Sequence, residues 1–118
     1  MSAGPAAPTI DWDAFRAVDL RVGRVLAAEP LPDARRPAWV LRIDFGPGIG
    51  VLRSSAQLTD HYAAADLIGR QVVAVVNLAP KQVGRVMSQC LVTGFHDADG
   101  AVRLCVPDGE LPLGARLA

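Results

Sequence analysis

The sequence predicts an all-β barrel of about five principal strands with one short helical insert. Three observations carry that expectation. Apolar and polar residues alternate through several short runs, as half-buried strands require. Turn residues punctuate those runs, with "GPGIG" at 46–50 and "DADG" at 97–100. Beyond a first short turn, only residues 56–69 have helical composition.

Residues 1–9, rich in Ala, Pro and Gly, are expected to form a disordered lead-in. They show neither the basic n-region nor the apolar h-region of a secretory signal. In "IDWDAF", Asp11 is placed to cap the free N–H groups of a short helix, with Ile10 and Phe15 as a hydrophobic staple. From Val18 the pattern alternates, Val18, Leu20 and Val22 on one face and Asp19 and Arg21 on the other. The phase slips after Gly23, where Val25 and Ala27 take the apolar positions, which predicts a bulge that bends the strand. Residues 28–37, with Pro30, Pro32 and Pro37, read as a loop. "WVLRIDF" then sets Trp39, Leu41, Ile43 and Phe45 on one face, and the glycine turn leads into "VLRS" as a hairpin.

The helical stretch ends at Gly69 and reads as two broken pieces with Leu58, Tyr62 and Leu67 toward the core. "RQVVAVVNL" is a continuous β-branched run, suited to a strand covered on both sides. "CLVTGFH", "DADG" and "AVRLCV" make a second hairpin, and the tail turns at 107–109 and 113–115. Five strands, a helical piece between the third and fourth and a glycine-bent first strand are what a five-stranded Greek-key barrel of the OB type requires. An SH3-like barrel offers no natural place for the insert.

At 118 residues the chain is sized for a single domain, here taken as residues 10–118. Hydrophobic residues make up 51% and charged residues 20%, a globular balance. No apolar run approaches the roughly 18 residues of a membrane span, so no membrane insertion is expected. Cys90 and Cys105, without a Cys-x-x-Cys pair, read as buried free thiols of a reducing compartment, and cytoplasmic localisation is the default. Net charge is zero, which argues against a strongly cationic nucleic-acid binder. The distribution is uneven: residues 21–85 hold nine Arg or Lys against five Asp or Glu, and the two ends together hold three against seven.

Catalysis finds little support. His61 has Ser54 and Ser55 upstream, but no Gly-x-Ser-x-Gly elbow surrounds them. His61 and His96 lack carboxylates at metal-ligand spacing, and Gly46, Gly48 and Gly50 precede a strand instead of a helix, so neither a metal nor a dinucleotide cofactor is expected. Binding fits better. Arg35, Arg36, Lys81 and Arg85 fall in the two longest irregular connections, where overhanging one rim they would present four cations to a phosphate backbone. Aromatic residues are only 5%, which disfavours sequence-tolerant stacking on single strands.

The connection "NLAPKQVGRVMSQC" at 77–90 is long and polar for a crossing between two strands. Together with "VGRVLAAEPLPDARRP", "LRIDFG", "SSAQLTDHY", "LIGRQVVAVV", "LVTGF" and "LPLGARL", it resembles the stand-alone tRNA-binding-domain proteins, and among them the CsaA-type export-related chaperones. The resemblance implies a noncatalytic OB-fold homodimer whose terminal segments build the two-fold interface. It implies two kinds of ligand: unfolded secretory preproteins handed to the export machinery, and, as the alternative, tRNA bound by shape. The family's tRNA motif runs Asn-Leu-x-Pro-x-x-x-x-Gly-x-x-Ser-Glu-Gly-Met or close to it; Asn77, Leu78, Pro80 and Ser88 match, and Lys81 supplies a motif-like cation. Gln89 replaces the acid, and Cys90 and Leu91 replace the Gly-Met pair, closer to the chaperone-like form. On this resemblance Asn77, Lys81, Ser88 and Leu91, with Arg35, Arg36 and Arg85, are the expected ligand-binding residues.

Overall fold

The computed structural model describes residues 4–118. Of the expected lead-in, residues 1–3 lie outside the described residues, and 4–9 are exposed and form neither helix nor strand. The first element is a single helical turn, α1 (Trp12–Arg16), capped by Asp11, whose Oδ1 accepts from the Ala14 N–H at 2.8 Å. None of its residues is buried, and Ile10 and Phe15 both stay exposed.

Nine strands follow: β1 (Leu20–Pro30), β2 (Trp39–Asp44), β3 (Val51–Ala56), β4 (Gln71–Val75), β5 (Lys81–Val83), β6 (Val86–Ser88), β7 (Leu91–Val92), β8 (Gly94–His96) and β9 (Val102–Leu104). Five of them form one antiparallel sheet in the order β3-β2-β1-β4-β7. The sheet curls until its outer edges meet: Gln89, just before β7, exchanges bonds with Arg53 of β3, its N–H donating to the Arg53 carbonyl at 2.7 Å and its Oε1 accepting from the Arg53 N–H at 2.9 Å. The result is a nearly closed barrel of the expected OB type.

β1 holds the barrel together by serving two partners in turn. Residues 20–24 pair with β4 and residues 24–30 with β2. The bulge lies within the half paired with β2, at Leu26, where the register shifts between Val25 and Ala27, and not at Gly23. Gly23 answers a different need: a Cβ there would lie 2.5 Å from Ile43 Cγ2 and 2.7 Å from Phe45 Cε1. The glycine thus lets the core close over the strand crossing. β1 also runs through Ala28, Glu29 and Pro30, residues the proline count had placed in the loop; Pro30 ends the strand, where its missing N–H is tolerated.

The remaining chain follows expectation with two further corrections. Residues 56–69 yield one helical turn, α2 (Ala64–Leu67), and not two pieces. Tertiary bonds take up the preceding segment: Trp39 Nε1 donates to the Tyr62 carbonyl at 2.9 Å, and Tyr62 Oη accepts from the Leu104 N–H at 3.1 Å. Residues 81–88 are not irregular but form a two-stranded hairpin, β5–β6, with Lys81 opposite Ser88 and Val83 opposite Val86. Gly84 at its tip has φ +58, a left-handed conformation that glycine adopts freely.

β4 is buried on both sides as its composition requires. With it, Val25, Leu41, Ile43, Phe45, Leu58, Leu67 and Cys90 make the core. Burying each large aliphatic or aromatic side chain among them is worth about 1.5–3 kcal/mol. The tail adds a short strand-like edge to the free side of β1: Gly114 N–H donates to the Val22 carbonyl (2.8 Å), Val22 N–H to the Ala115 carbonyl (2.9 Å) and Leu117 N–H to the Leu20 carbonyl (2.9 Å). Cys90 is buried and Cys105 half-buried, both as free thiols. Among the described residues no helix is long and apolar enough to cross a membrane.

Candidate binding grooves

The segment after β4 builds the site. Val76 N–H still bonds the Asp19 carbonyl (2.9 Å), and Asn77 then clamps the chain: its Oδ1 accepts from the Asp19 N–H at 2.9 Å and its Nδ2 donates to the Ala17 carbonyl at 2.7 Å. Both ends of the carboxamide are therefore spent on the link between α1 and β1. Past Pro80 the β5–β6 hairpin lies over β3. Ser88 Oγ accepts from the Ser55 N–H at 3.1 Å and donates to the Cys90 carbonyl at 3.3 Å. At the tip, Arg85 pairs with Asp33 of the β1–β2 loop at 3.1 Å, and Gly84 rests against Leu31.

Two adjoining cavities flank the hairpin, and the second of them lies between it and that loop. One, of about 340 Å³, is lined by Lys81, Ser88 and Leu91 with Leu78, Val83, Gln89 and Cys90. The other, of about 570 Å³, is lined by Arg35 and Arg36 with Leu31, Val83 and Gly84. They share Ser55, Gln57 and Val83, so they read as one groove. Of the expected site residues, Lys81, Ser88, Leu91, Arg35 and Arg36 border it and Arg85 sits at the hairpin tip. Asn77 does not border it; its amide positions the strand end from which the hairpin departs.

Asp33 is the one carboxylate among the described residues that line the groove. Among the described residues, Arg35, Arg36, Arg42, Arg53, Arg70 and Lys81 make no ion pair, and all but Arg70 lie in the β1–β2 loop, the β2–β3 hairpin or the β5–β6 hairpin. Arg42 and Arg53 escaped the sequence reading. The alternation in "WVLRIDF" and "VLRS" could have found them, since both occupy outward positions. Cys90 lines the groove with its thiol pushed up to about 11 by burial, so it stays protonated near neutrality.

A second cavity lies on another flank. It measures about 510 Å³ and is apolar, lined by Leu20, Val22, Phe95, Val106, Leu111 and Leu117. Phe95 is 69% exposed and Leu117 53%, and both lie in this one apolar patch. The arginines at its rim share one carboxylate: Arg21 Nε bonds Asp19 Oδ1 at 2.6 Å, and Arg116 Nε lies 3.4 Å from the same oxygen. The hydrogen bond from Arg21, and then its charge and that of Arg116, hold the Asp19 carboxyl below the usual range against the opposing effect of burial. Away from both cavities, His61 Nε2 bonds Asp97 Oδ2 at 2.7 Å and His96 Nδ1 bonds the Gly100 carbonyl at 3.1 Å.

Residues 20–116 match the family described as "Putative tRNA binding domain". Among solved structures, the chain is similar to chaperone CsaA of Bacillus anthracis, with 44% identity and a TM-score of 0.88, over 94% of this chain and all of that one. A CsaA chaperone protein of Picrophilus torridus shares 40% identity at a TM-score of 0.86, over 93% of this chain and all of that one. Among curated proteins, a methionine–tRNA ligase of Porphyromonas gingivalis is 32% identical over 115 residues, covering 98% of this chain but 16% of the ligase. The chain thus spans about a sixth of the length of the curated relatives it matches. What it shares with those enzymes is a small part of them.

Proposed function

The chain belongs to the tRNA-binding domain family, and from that premise we propose that it is a CsaA-like chaperone that binds extended, unfolded secretory preproteins and assists their export. The observation that carries this reading is the groove between the β1–β2 loop and the β5–β6 hairpin. An extended polypeptide needs apolar pockets and polar partners side by side. Leu78, Val83 and Leu91 supply the first, and Lys81, Gln57 and Gln89 the second. Arg35, Arg36 and Arg85 favour acidic stretches of the client, while Asn77 and Ser88 act on it by holding the groove's walls in place. The resemblance to the CsaA chaperones, at 44% and 40% identity, supports the same assignment. With it go a cytoplasmic location, residues 10–118 acting as one domain and the export machinery as a partner.

The working unit is a homodimer joined over the apolar flank. A helix of five residues with nothing buried is not stable alone. α1, with exposed Trp12 and Phe15, becomes intelligible once a second copy covers it along with Phe95 and Leu117. Two grooves per particle would then raise the avidity for one long client.

A second reading, binding of tRNA, is favoured by the cations around the groove that make no ion pair: Arg35, Arg36 and Lys81. The two readings differ in salt response, because each phosphate neutralised releases counterions. Bulk tRNA and an unfolded preprotein should each be titrated at two salt concentrations. Failure to suppress aggregation of the unfolded client overturns the chaperone assignment, and no saturable tRNA binding at low salt overturns the second. Lys81→Ala with Arg85→Ala is expected to weaken tRNA binding and leave the dimer intact; loss of the dimer would make the hairpin an interface element.

A further inference from the structure

We propose that the β8–β9 hairpin is an arm held to the barrel by a proton-dependent clasp between His61 and Asp97, and that it lifts when His61 is neutral, lengthening the client groove; that last step rests on the chaperone reading. β8 and β9 pair with each other as a two-stranded sheet apart from the barrel sheet. Val102 and Leu104 pack against the core, and the Leu104 N–H donates to Tyr62 Oη at 3.1 Å. The tip, residues 96–101, buries only Ala101. Most of its bonds are internal: Asp97 N–H donates to the Ala101 carbonyl at 2.8 Å, and Asp97 Oδ1 accepts from the N–H groups of Asp99 and Ala101 at 3.0 Å each. Among the described residues, one hydrogen bond joins the tip to the rest of the chain, from His61 Nε2 to Asp97 Oδ2 at 2.7 Å.

The charges give this bond a direction. The bond from His61 holds the Asp97 carboxyl below its usual range against the effect of burial, with help from the N–H groups of Asp99 and Ala101. Asp97 therefore stays ionised where an imidazole changes charge, and it gives up that charge only below the ordinary carboxylate value of about 3.9. With an imidazolium the clasp is a charge-assisted bond, about twice as strong as a neutral one. Between about pH 5 and 8 a histidine loses that charge as pH rises. The clasp is thus tight on the acid side of neutrality and slack on the alkaline side.

Other charges surround the pair. Arg103 of β9 has Nε 3.6 Å from the same Asp97 oxygen, and Arg70, before β4, lies 5.3 Å over the Tyr62 ring, which meets the His61 ring edge-on. Asp60 precedes His61, Asp99 follows Asp97 in the turn, and His96 bonds the Gly100 carbonyl within the arm. Arg103 travels with Asp97, so a lifted arm leaves no carboxylate without a cation, which keeps the cost of opening low.

Beneath the arm lies a cavity of about 310 Å³, with Thr59 and Asp60 on one side and His96, Gly100 and Val102 on the other. It shares Arg36 and Gln57 with the groove. Lifting the arm joins the two and extends the track open to an unfolded chain. His61 and Asp97 do not line this cavity, so they act as positioning residues.

Amide hydrogen exchange of the full chain at about pH 5.5 and pH 8, on either side of the imidazole transition, tests the clasp, each rate being divided by the intrinsic rate at that pH. A lifting arm must break the Leu104 bond to Tyr62, so protection at the Leu104 N–H should fall about 10-fold from the lower to the higher pH. The Val25 N–H, bonded to the Arg70 carbonyl in the barrel, should keep its protection, which separates arm motion from unfolding. In His61→Gln, a neutral donor, Leu104 should be weakly protected at both pH values. Equal protection of Leu104 at the two values in the parent chain overturns the clasp, and so does an undiminished pH effect in His61→Gln, which would assign the titration to His96. Affinity for an unfolded preprotein should rise about 3-fold or more from the lower to the higher pH in the parent chain and stay level in the variant. A level affinity in the parent, with the exchange result as expected, overturns the link to the groove. No preprotein binding at either pH overturns the chaperone reading, and the exchange result still decides the clasp.

Discussion

Around the apolar flank, Arg21 and Arg116 both reach Asp19, and nearby Arg24 is paired with Glu110. Around the groove, Arg35, Arg36, Lys81, Arg42 and Arg53 make no ion pair although Asp33 and Glu29 lie among them, and only Arg85 is paired, in full exposure. The same chain thus ties its cations to carboxylates on one flank and leaves most of them outside any ion pair on the other. Covering a lone charge costs several kcal/mol, so a surface to be buried by a partner needs its charges paired beforehand. A surface meant for an anion gains from the reverse.

The sharpest way to break this comparison is to charge the apolar flank. Phe95→Asp with Leu117→Asp places carboxylates where we propose the partner sits, and the self-association constant should weaken by about 100-fold or more, as for a central interface anchor. Sedimentation equilibrium reads it directly; an unchanged particle mass would mean that the apolar flank is not the interface. Gly23→Ala strikes where β1 passes from one flank to the other. With Ile43 and Phe45 inside contact distance of the new methyl, it should lower unfolding free energy by about 1–3 kcal/mol in denaturant titration and impair both flanks together.

Asn77→Ala removes two hydrogen bonds at an exposed site and should cost about 1 kcal/mol, again by denaturant titration. If stability is unchanged and only ligand affinity falls, Asn77 is a ligand contact and not part of the frame. The smallest effect belongs to Asp19. Its carboxyl titrates below the ordinary value when folded, so the stability it contributes is present above the unfolded pKa of about 3.9 and lost as pH falls through the lower folded value. The melting-temperature gap between the parent chain and Asp19→Asn should therefore be open at pH 7 and close as pH drops below about 4; a gap independent of pH would show that the pairing is not what Asp19 contributes.

Much of this architecture was legible. Alternation located β2, β3 and the β8–β9 hairpin, the unbroken valine run located β4, and Asp11 announced α1. The failures have identifiable causes. The phase slip near Gly23 arises from a bulge three residues later, because the glycine is required by a side-chain approach from β2 that no local pattern encodes. Residues 81–88 looked irregular because Pro80 and the polar residues dominate the composition. The valines flanking Gly84 and Arg85 were the hairpin signal. The helical stretch lost its first half to bonds from Trp39 and Leu104, both distant in sequence. Motif spacing pointed to Lys81, Ser88 and Leu91 and the polar connections to Arg35 and Arg36, and these five of the seven expected site residues border one groove; spacing alone cannot tell a side chain that meets a ligand from one, like Asn77, bonded to neighbouring backbone.

The thiol of Cys90 offers an internal clock. It is packed at the seam where residues 88–90 close the barrel against β3, with Sγ 3.7 Å from the Arg53 carbonyl. Held protonated and out of water, it should react with an alkylating reagent only when that seam parts. In a chain whose Cys105 has been replaced by Ser, the rate of modification at Cys90 would count openings of the barrel one by one, and a ligand that braces the groove would slow it.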